Sequence, residues 1–304
     1  MHRIVCVLSG VLILACPGPG PIGGDAGLIT DGGAATAPCG LATNPEPNDT
    51  RDTASTLTLN TDATFCLGVG DVDFVAFTTP ASDVGGGTVQ LQFTQVGTPV
   101  ALDVEVTAAS DNGPVTSAYN TAGGASLTIW FSAKPNTTFK AKIHNFAGSA
   151  SEAAKYNLNV VYTAVADAFE PNDTRDAAKP LTLGTAANAY FVGGYSAGTE
   201  PRTAYDDWYS VSVVARRAIR VQLSNIATDW SPYVEVFAAD NSAFDSKYVT
   251  TDGQSIDLTS SDLVTAAGTY TIRVYSFAGY PAADGKGALA DHLTRPYSIT
   301  VSQP

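Results

Sequence analysis

The heptapeptide Glu-Pro-Asn-Asp-Thr-Arg-Asp occurs twice in this 304-residue chain, at Glu46 to Asp52 and again at Glu170 to Asp176. A repeat of that length at the head of each half means that one module has been duplicated. Each copy must then build its own core. The match continues downstream, where Val89-Gln-Leu-Gln-Phe93 alternates apolar and polar as Ile219-Arg-Val-Gln-Leu223 does. Val104-Glu-Val106 answers Val234-Glu-Val236, Phe139-Lys-Ala-Lys-Ile143 answers Tyr270-Thr-Ile-Arg-Val274, and Phe146-Ala-Gly148 answers Phe277-Ala-Gly279. The last strands match as well, Lys155-Tyr-Asn-Leu-Asn-Val160 with Pro296-Tyr-Ser-Ile-Thr-Val301. Alternation with period two marks strands buried on one face only.

The offset between copies grows from 124 residues at the heptapeptide to 141 at the final Tyr. The growth places insertions around Gly193 to Ala204 and around Tyr280 to Leu293, read as surface loops because they are rich in Gly, Ala and Asp. Strand-like runs of four to eight residues between Gly, Asn, Asp and Pro, with little helical periodicity, predict an all-β chain of two tandem antiparallel β-sandwiches. Their expected bounds are 44–162 and 168–304, and Thr50 to Leu57 carries a hint of one helical turn capped by Asn48 or Thr50.

Ahead of the first copy, residues 1–16 read as a bacterial lipoprotein signal peptide: His2 and Arg3, an apolar run from Ile4 to Ala15, then Cys16. The run is too short to span a bilayer. Lipidation at Cys16 is the expectation, with an ordinary cleaved signal ending near Gly20 as the alternative. Residues 17–43 form a Gly/Pro-rich linker without enough large apolar groups to offset chain ordering. These features predict export to the bacterial cell envelope, with outer-membrane anchoring through lipid. Cys39 and Cys66 are then the remaining pair in an oxidising compartment, and a disulfide between them would contribute roughly 3 to 4 kcal/mol by loop closure. Two buried thiols are the other reading. The net charge of -13, with no basic cluster longer than Arg216-Arg217, argues against nucleic acid as a partner.

A second acidic element follows each heptapeptide. Gly70-Asp71-Val-Asp73-Phe74-Val-Ala-Phe77 stands in the first copy and Tyr205-Asp206-Asp207-Trp208-Tyr209-Ser-Val211 in the second. Asp73 and Asp207 align, each just before an aromatic residue that begins a strand. Calcium takes six to eight oxygens at about 2.3 to 2.6 Å from carboxylates, Asn side chains and carbonyls. Glu46, Asn48, Asp49, Asp71 and Asp73 would supply them in the first copy, and Glu170, Asn172, Asp173, Asp206 and Asp207 in the second. The metal-free alternative is an Asx-type turn in which Pro sets φ and Asn or Asp bonds its own backbone.

The Glu-Pro-Asn-Asp-Thr start, the Asp-aromatic strand and the closing Tyr-x-(Leu/Ile)-x-Val strand resemble the bacterial pre-peptidase C-terminal domain, and both halves carry all three. The resemblance covers residues 44 to 161 and 168 to 302. Related collagen-binding domains of clostridial collagenases imply a jelly-roll-like sandwich with structural calcium between the N-terminal acidic segment and the Asp-containing strand. This chain departs from calcium-binding members at Asn44 and Ala168, and at Gly70 and Ala204, where those members often have acids; Asp71 and Asp206 are the candidates to compensate.

Catalytic signals are poor. Gly194-Tyr-Ser196-Ala-Gly198 imitates a nucleophile elbow but lies in an insertion within an all-β pattern, and that elbow needs a strand turning into a helix. Zinc-ligand spacing and phosphate-cradling Gly loops are missing. The expected function is non-catalytic: two calcium-stabilised binding modules for an extracellular protein or polysaccharide. A structural spacer, or an accessory to a separate secreted peptidase, is the alternative. Trp230, read as a loop residue, and Tyr275, beside Tyr270 and Phe277, are the candidate ligand contacts, with Trp208 assigned to the core. A binder and a spacer differ in one respect: the binder should show a contiguous exposed aromatic patch.

Overall fold

The computed structural model describes residues 38–41, 46–82, 85–146, 152–191, 206–277 and 284–304; Cys16, Ser196 and most of the linker lie outside these residues. Regular structure among them is all β-strand apart from short 3-10 turns. Thr36–Pro304 form one compact unit.

Among the described residues the first half has nine strands: β1 (Ser55–Thr56), β2 (Asp62–Leu67), β3 (Val72–Thr78), β4 (Gly87–Thr94), β5 (Leu102–Ala108), β6 (Pro114–Tyr119), β7 (Leu127–Ala133), β8 (Thr138–Asn145) and β9 (Ala154–Ala164). One sheet has the order β1-β3-β8-β5-β6, and the opposing sheet contains β7-β4-β9-β2. The inward residues of alternating strands, among them Phe65, Val75, Leu91, Phe93, Val104, Ile129, Phe131, Ile143, Tyr156 and Leu158, form a closed apolar cluster. Burial in β8 runs Phe139, Ala141, Ile143 inward and Lys140, Lys142, His144 outward, the period-two pattern expected of a sheet with one wet face.

The second half repeats the plan with β10 (Lys179–Pro180), β11 (Ala186–Ala189), β12 (Asp207–Val213), β13 (Arg220–Ser224), β14 (Pro232–Phe237), β15 (Ala243–Tyr248), β16 (Ile256–Thr259), β17 (Gly268–Ser276), β18 (Asp284–Lys286) and β19 (Tyr297–Ser302). Its sheets are β10-β12-β17-β14-β15 and β11-β19-β13-β16, enclosing a core built on Tyr209, Val221, Leu223, Trp230, Val234, Ile272, Val274, Tyr297 and Ile299. Even the irregularity is duplicated: the β5–β6 ladder shifts register between Val106 and Thr107, and the β14–β15 ladder between Val236 and Phe237. The pairings are antiparallel except for β1 on β3 and β10 on β12.

Trp230 requires a correction. It is 1% exposed, stacked on Phe191 at 4.2 Å and edge-on to Tyr297, so it is core and not a ligand anchor. Its neighbours Asp229, Ser231 and Pro232 suggested a loop, but they cannot report that a large apolar ring fills the core of the second half.

The insertion before β19 also differs from a free surface loop. Strand β18 adds antiparallel to β7, so the second half supplies a fifth strand to a sheet of the first. Gly285 sits directly on the Trp130 indole, where a Cβ would fall 2.5 Å from the ring, and Lys286 Nζ donates to Tyr119 O at 2.7 Å. Leu293 joins Trp130 and Val165 in a third apolar cluster. The far end is held by Thr228 N donating to Asp291 Oδ2 at 2.9 Å and by His292 Nδ1 against Asp229 Oδ2 at 2.8 Å. Covering an unpaired sheet edge in this way removes a row of unmet backbone groups and ties the two halves together.

Candidate functional site

Each heptapeptide lies against the entrance of its Asp-containing strand. In the first copy Phe74 N donates to Asn48 O at 2.8 Å, and Asn48 N donates to Glu46 Oε2 at 2.9 Å, which fixes the acidic turn beside β3. Thr50 caps a 3-10 turn at Arg51–Thr53. Carboxylate oxygens of Glu46, Asp49 and Asp71 gather within 4.8 Å of one another. Behind them Asp73 is fully buried: Tyr156 Oη donates to its Oδ2 at 2.6 Å while Oδ1 meets no partner, and the buried Asn48 amide meets none at either atom. Burial raises the Asp73 carboxyl to about 7 against the donated Tyr156 hydrogen bond, with Asp71 and Glu46 adding to the rise. Asp49 is raised too, by burial and by Asp71. The corner concentrates negative charge beyond what its own hydrogen bonds offset. Cys39 and Cys66 are joined by a disulfide, holding Pro38–Gly40 to β2.

The second corner keeps part of this arrangement. Trp208 N donates to Asn172 O at 2.9 Å, Asn172 N to Glu170 Oε2 at 3.2 Å, and Tyr297 Oη to Asp207 Oδ2. Asn172 is buried with neither amide atom partnered. Burial pushes Glu170 up to about 8, with Asp173 and Asp167 raising it further, and burial beside Glu170 pushes Asp207 well above the usual carboxylate range.

Asp206, expected among the ligands of this corner, goes elsewhere. It stands one residue before Asp207, whereas Asp71 stands two before Asp73. Strand alternation therefore turns it to the opposite face. There Arg273 donates to Asp206 Oδ2 from Nε at 2.9 Å and from Nη2 at 2.6 Å, and Arg273 Nη1 reaches Glu235 at 3.2 Å. Among the described residues the second set of acids forms no cluster like that of Glu46, Asp49 and Asp71. Asp173 is met instead by Lys134 Nζ at 3.3 Å, from the turn after β7 of the first half.

Asp206 and Arg273 belong to the outer face of the β10-β12-β17-β14-β15 sheet, and this face is aromatic. Phe277 stacks on Tyr248 at 4.0 Å, Tyr248 lies 5.5 Å from Tyr233, and Tyr233 stacks on Tyr275 at 4.6 Å. The Arg273 guanidinium sits 4.0 Å over Tyr275 and 5.7 Å from Trp208, and Trp208 lies 5.6 Å from Phe237. Arg175 of the second heptapeptide lies over both Phe237 and Trp208. Tyr248 and Phe277 are 50% and 41% exposed. Tyr275 is half-buried within this face, and Trp208, expected in the core, is half-buried on it. Tyr233 and Tyr248 were missed in the sequence, although Tyr233-Val-Glu235-Val-Phe237 spells an outward Tyr/Glu/Phe row by alternation. Arg273 and Lys134 carry no local signal.

No family model matches the chain, and no curated protein matches it. Among solved structures it is similar to the pre-peptidase C-terminal domain of a collagenase from Bacillus anthracis, at 20% identity over 35% of this chain and 93% of that one, TM-score 0.28. It is also similar to tripeptidyl peptidase 2, at 11% identity over 82% of this chain and TM-score 0.28, and to a Paenibacillus xanthan lyase, at 12% identity over 81% and TM-score 0.25. The chain spans 24% and 25% of those two longer proteins. Likeness at this distance assigns no activity.

Proposed function

We propose that this chain is a non-catalytic binding protein of the bacterial cell envelope, held by lipid at Cys16, whose second sandwich takes an extracellular protein or polysaccharide on its outer sheet face. The observation that carries the reading is the continuous run of Phe277, Tyr248, Tyr233 and Tyr275, extended through Arg273 to Trp208 and Phe237. Large aromatic side chains on a rigid sheet offer contact area at low entropic cost, and Arg273 with Glu235 adds hydrogen-bonding groups at its centre. A mere spacer would need no such face.

Calcium is the proposed structural cofactor of the first corner. Hard oxygen donors from Glu46, Asp49 and Asp71, with the buried Asn48 Oδ1 and Asp73 Oδ1 lacking partners, suit a hard divalent cation. The cation would offset the clustered charge and bind the heptapeptide to β3. Asp73 and Tyr156 orient the corner from within.

A glycan and matrix-protein array, run in calcium and in chelator, tests the ligand reading. Wild type should bind one class of polymer, and Tyr248→Ala with Phe277→Ala should lose it with an unchanged melting midpoint. Wild-type silence on every spot would favour the spacer.

A further inference from the structure

The two corners share a heptapeptide but not their surroundings. The second lies at the seam between the halves, where β9 ends at Ala164 and Val165 N donates to Gly86 O at 3.1 Å. Across that seam stands the turn after β7. Thr79 Oγ1 donates to the Lys134 carbonyl at 2.8 Å, which fixes the backbone there, and Lys134 Nζ reaches Asp173 Oδ2 at 3.3 Å. Asp173 is the heptapeptide counterpart of Asp49, one of the three acids gathered in the first corner. Asn172 is the counterpart of Asn48 and is likewise buried, and Glu170 and Asp173 act on Asp207 beside it, so the second corner keeps part of the oxygen set. Its neighbour Asp206 is bound by Arg273 on the outer face.

We infer that Lys134 is the resident cation of the second corner, so that the chain takes up one calcium ion, at the first corner, and not two. The inference rests on the calcium reading of the first corner given above. An ammonium group brings a compact charge with three donors. Because it belongs to the same folded unit, its charge beside Asp173 requires no encounter from solution. Extracellular calcium sites dissociate at about 10⁻⁴ to 10⁻³ M. With the Asp173 carboxylate offset by Lys134, the second corner offers a divalent ion one negative charge fewer and stays unfilled at millimolar calcium. The ion pair also makes the corner part of the seam, since the cation comes from one half and the acid from the other.

Equilibrium dialysis with radioactive calcium on the folded chain tests this directly. Wild type should bind one ion per chain, Asp49→Asn with Asp71→Asn none, and Lys134→Met two. Lys134→Arg, which keeps the charge, should stay at one. Melting curves confirm that each variant is folded, and Lys134 is partly exposed, so the Met side chain fits. Two ions in wild type, or one ion in both wild type and Lys134→Met, overturns the inference and leaves the first-corner reading standing. No ion in wild type with one in Lys134→Met supports the lysine and sinks the first-corner reading. No ion in either sinks both.

Discussion

Strands β8 and β17 hold the same central place in the two sandwiches, yet their outer faces differ in chemistry. In the first half His144 lies opposite Asp103 across the ladder, and Lys142 opposite Glu105, with His144 Nε2 at 3.4 Å from the Asp103 carboxylate. In the second half Tyr275 lies opposite Tyr233 and Arg273 opposite Glu235. Two features are common to both: a basic residue paired with Glu across the ladder, Lys142 with Glu105 and Arg273 with Glu235, and a stack at the rim, Tyr119 with Phe146 at 4.3 Å and Tyr248 with Phe277 at 4.0 Å. The heptapeptide Arg follows its surroundings. Arg51 donates to Thr107 Oγ1 and to Ala108 O, whereas Arg175 lies 4.1 Å over Phe237, the residue at the same bulge. Duplication preserved the inward pattern, which each core needs, and left the outward positions to diverge. One face became a charged surface and the other an aromatic platform. The corners diverged in the same sense, one gathering three acids and the other facing a lysine.

The comparison can be broken hardest from the inside. Trp230→Ala removes a buried ring stacked on Phe191 and should cost about 4 kcal/mol, read as an early melting transition of the second half. Loss of polymer binding without loss of stability in that variant would return Trp230 to the surface and undo the contrast drawn above.

A smaller effect tests the faces themselves. Tyr233→Asp with Tyr275→His writes the first-half residues onto the second, and polymer binding should fall roughly thirtyfold, about 2 kcal/mol, while the melting midpoint holds. Undiminished binding would show that the aromatic face is not the platform.

Smallest in energy is the seam. Gly285→Leu places a side chain where the Trp130 ring already lies, and it should release β18 from β7 at a cost of about 1 to 2 kcal/mol. Calorimetry of that variant should resolve two unfolding transitions in place of one, and a single unshifted transition would mean that the halves are coupled by other contacts.

Much of this molecule was legible in its residues because its information is local and repeated. Period-two alternation in Phe139 to Ile143 and Tyr270 to Val274 determines which side chains go inward, and two copies of the same pattern specify two cores of one type. The β-sandwich class follows from that alone. So does the position of Asp73 and Asp207 at strand entrances. Alternation also places Asp206 and Asp207 on opposite faces, since neighbouring strand residues point opposite ways.

Other features were decided only when distant segments met. Trp230 is 1% exposed because Phe191 and Tyr297, far away in sequence, close over it. Tyr275 gains its meaning from Tyr233, 42 residues earlier, and Asp206 from Arg273, 67 residues later. Residues 284–293 act as a strap because β7 offered an unpaired edge, and Lys134 meets Asp173 because the turn after β7 lies at the seam. The sequence by itself determined two sandwiches, each headed by an acidic turn, since side-chain periodicity acts over a few residues. Tertiary structure alone decided which acids meet one another, which meet a cation of the protein's own, and which aromatics share a surface, because those outcomes depend on contacts between residues that no local pattern links.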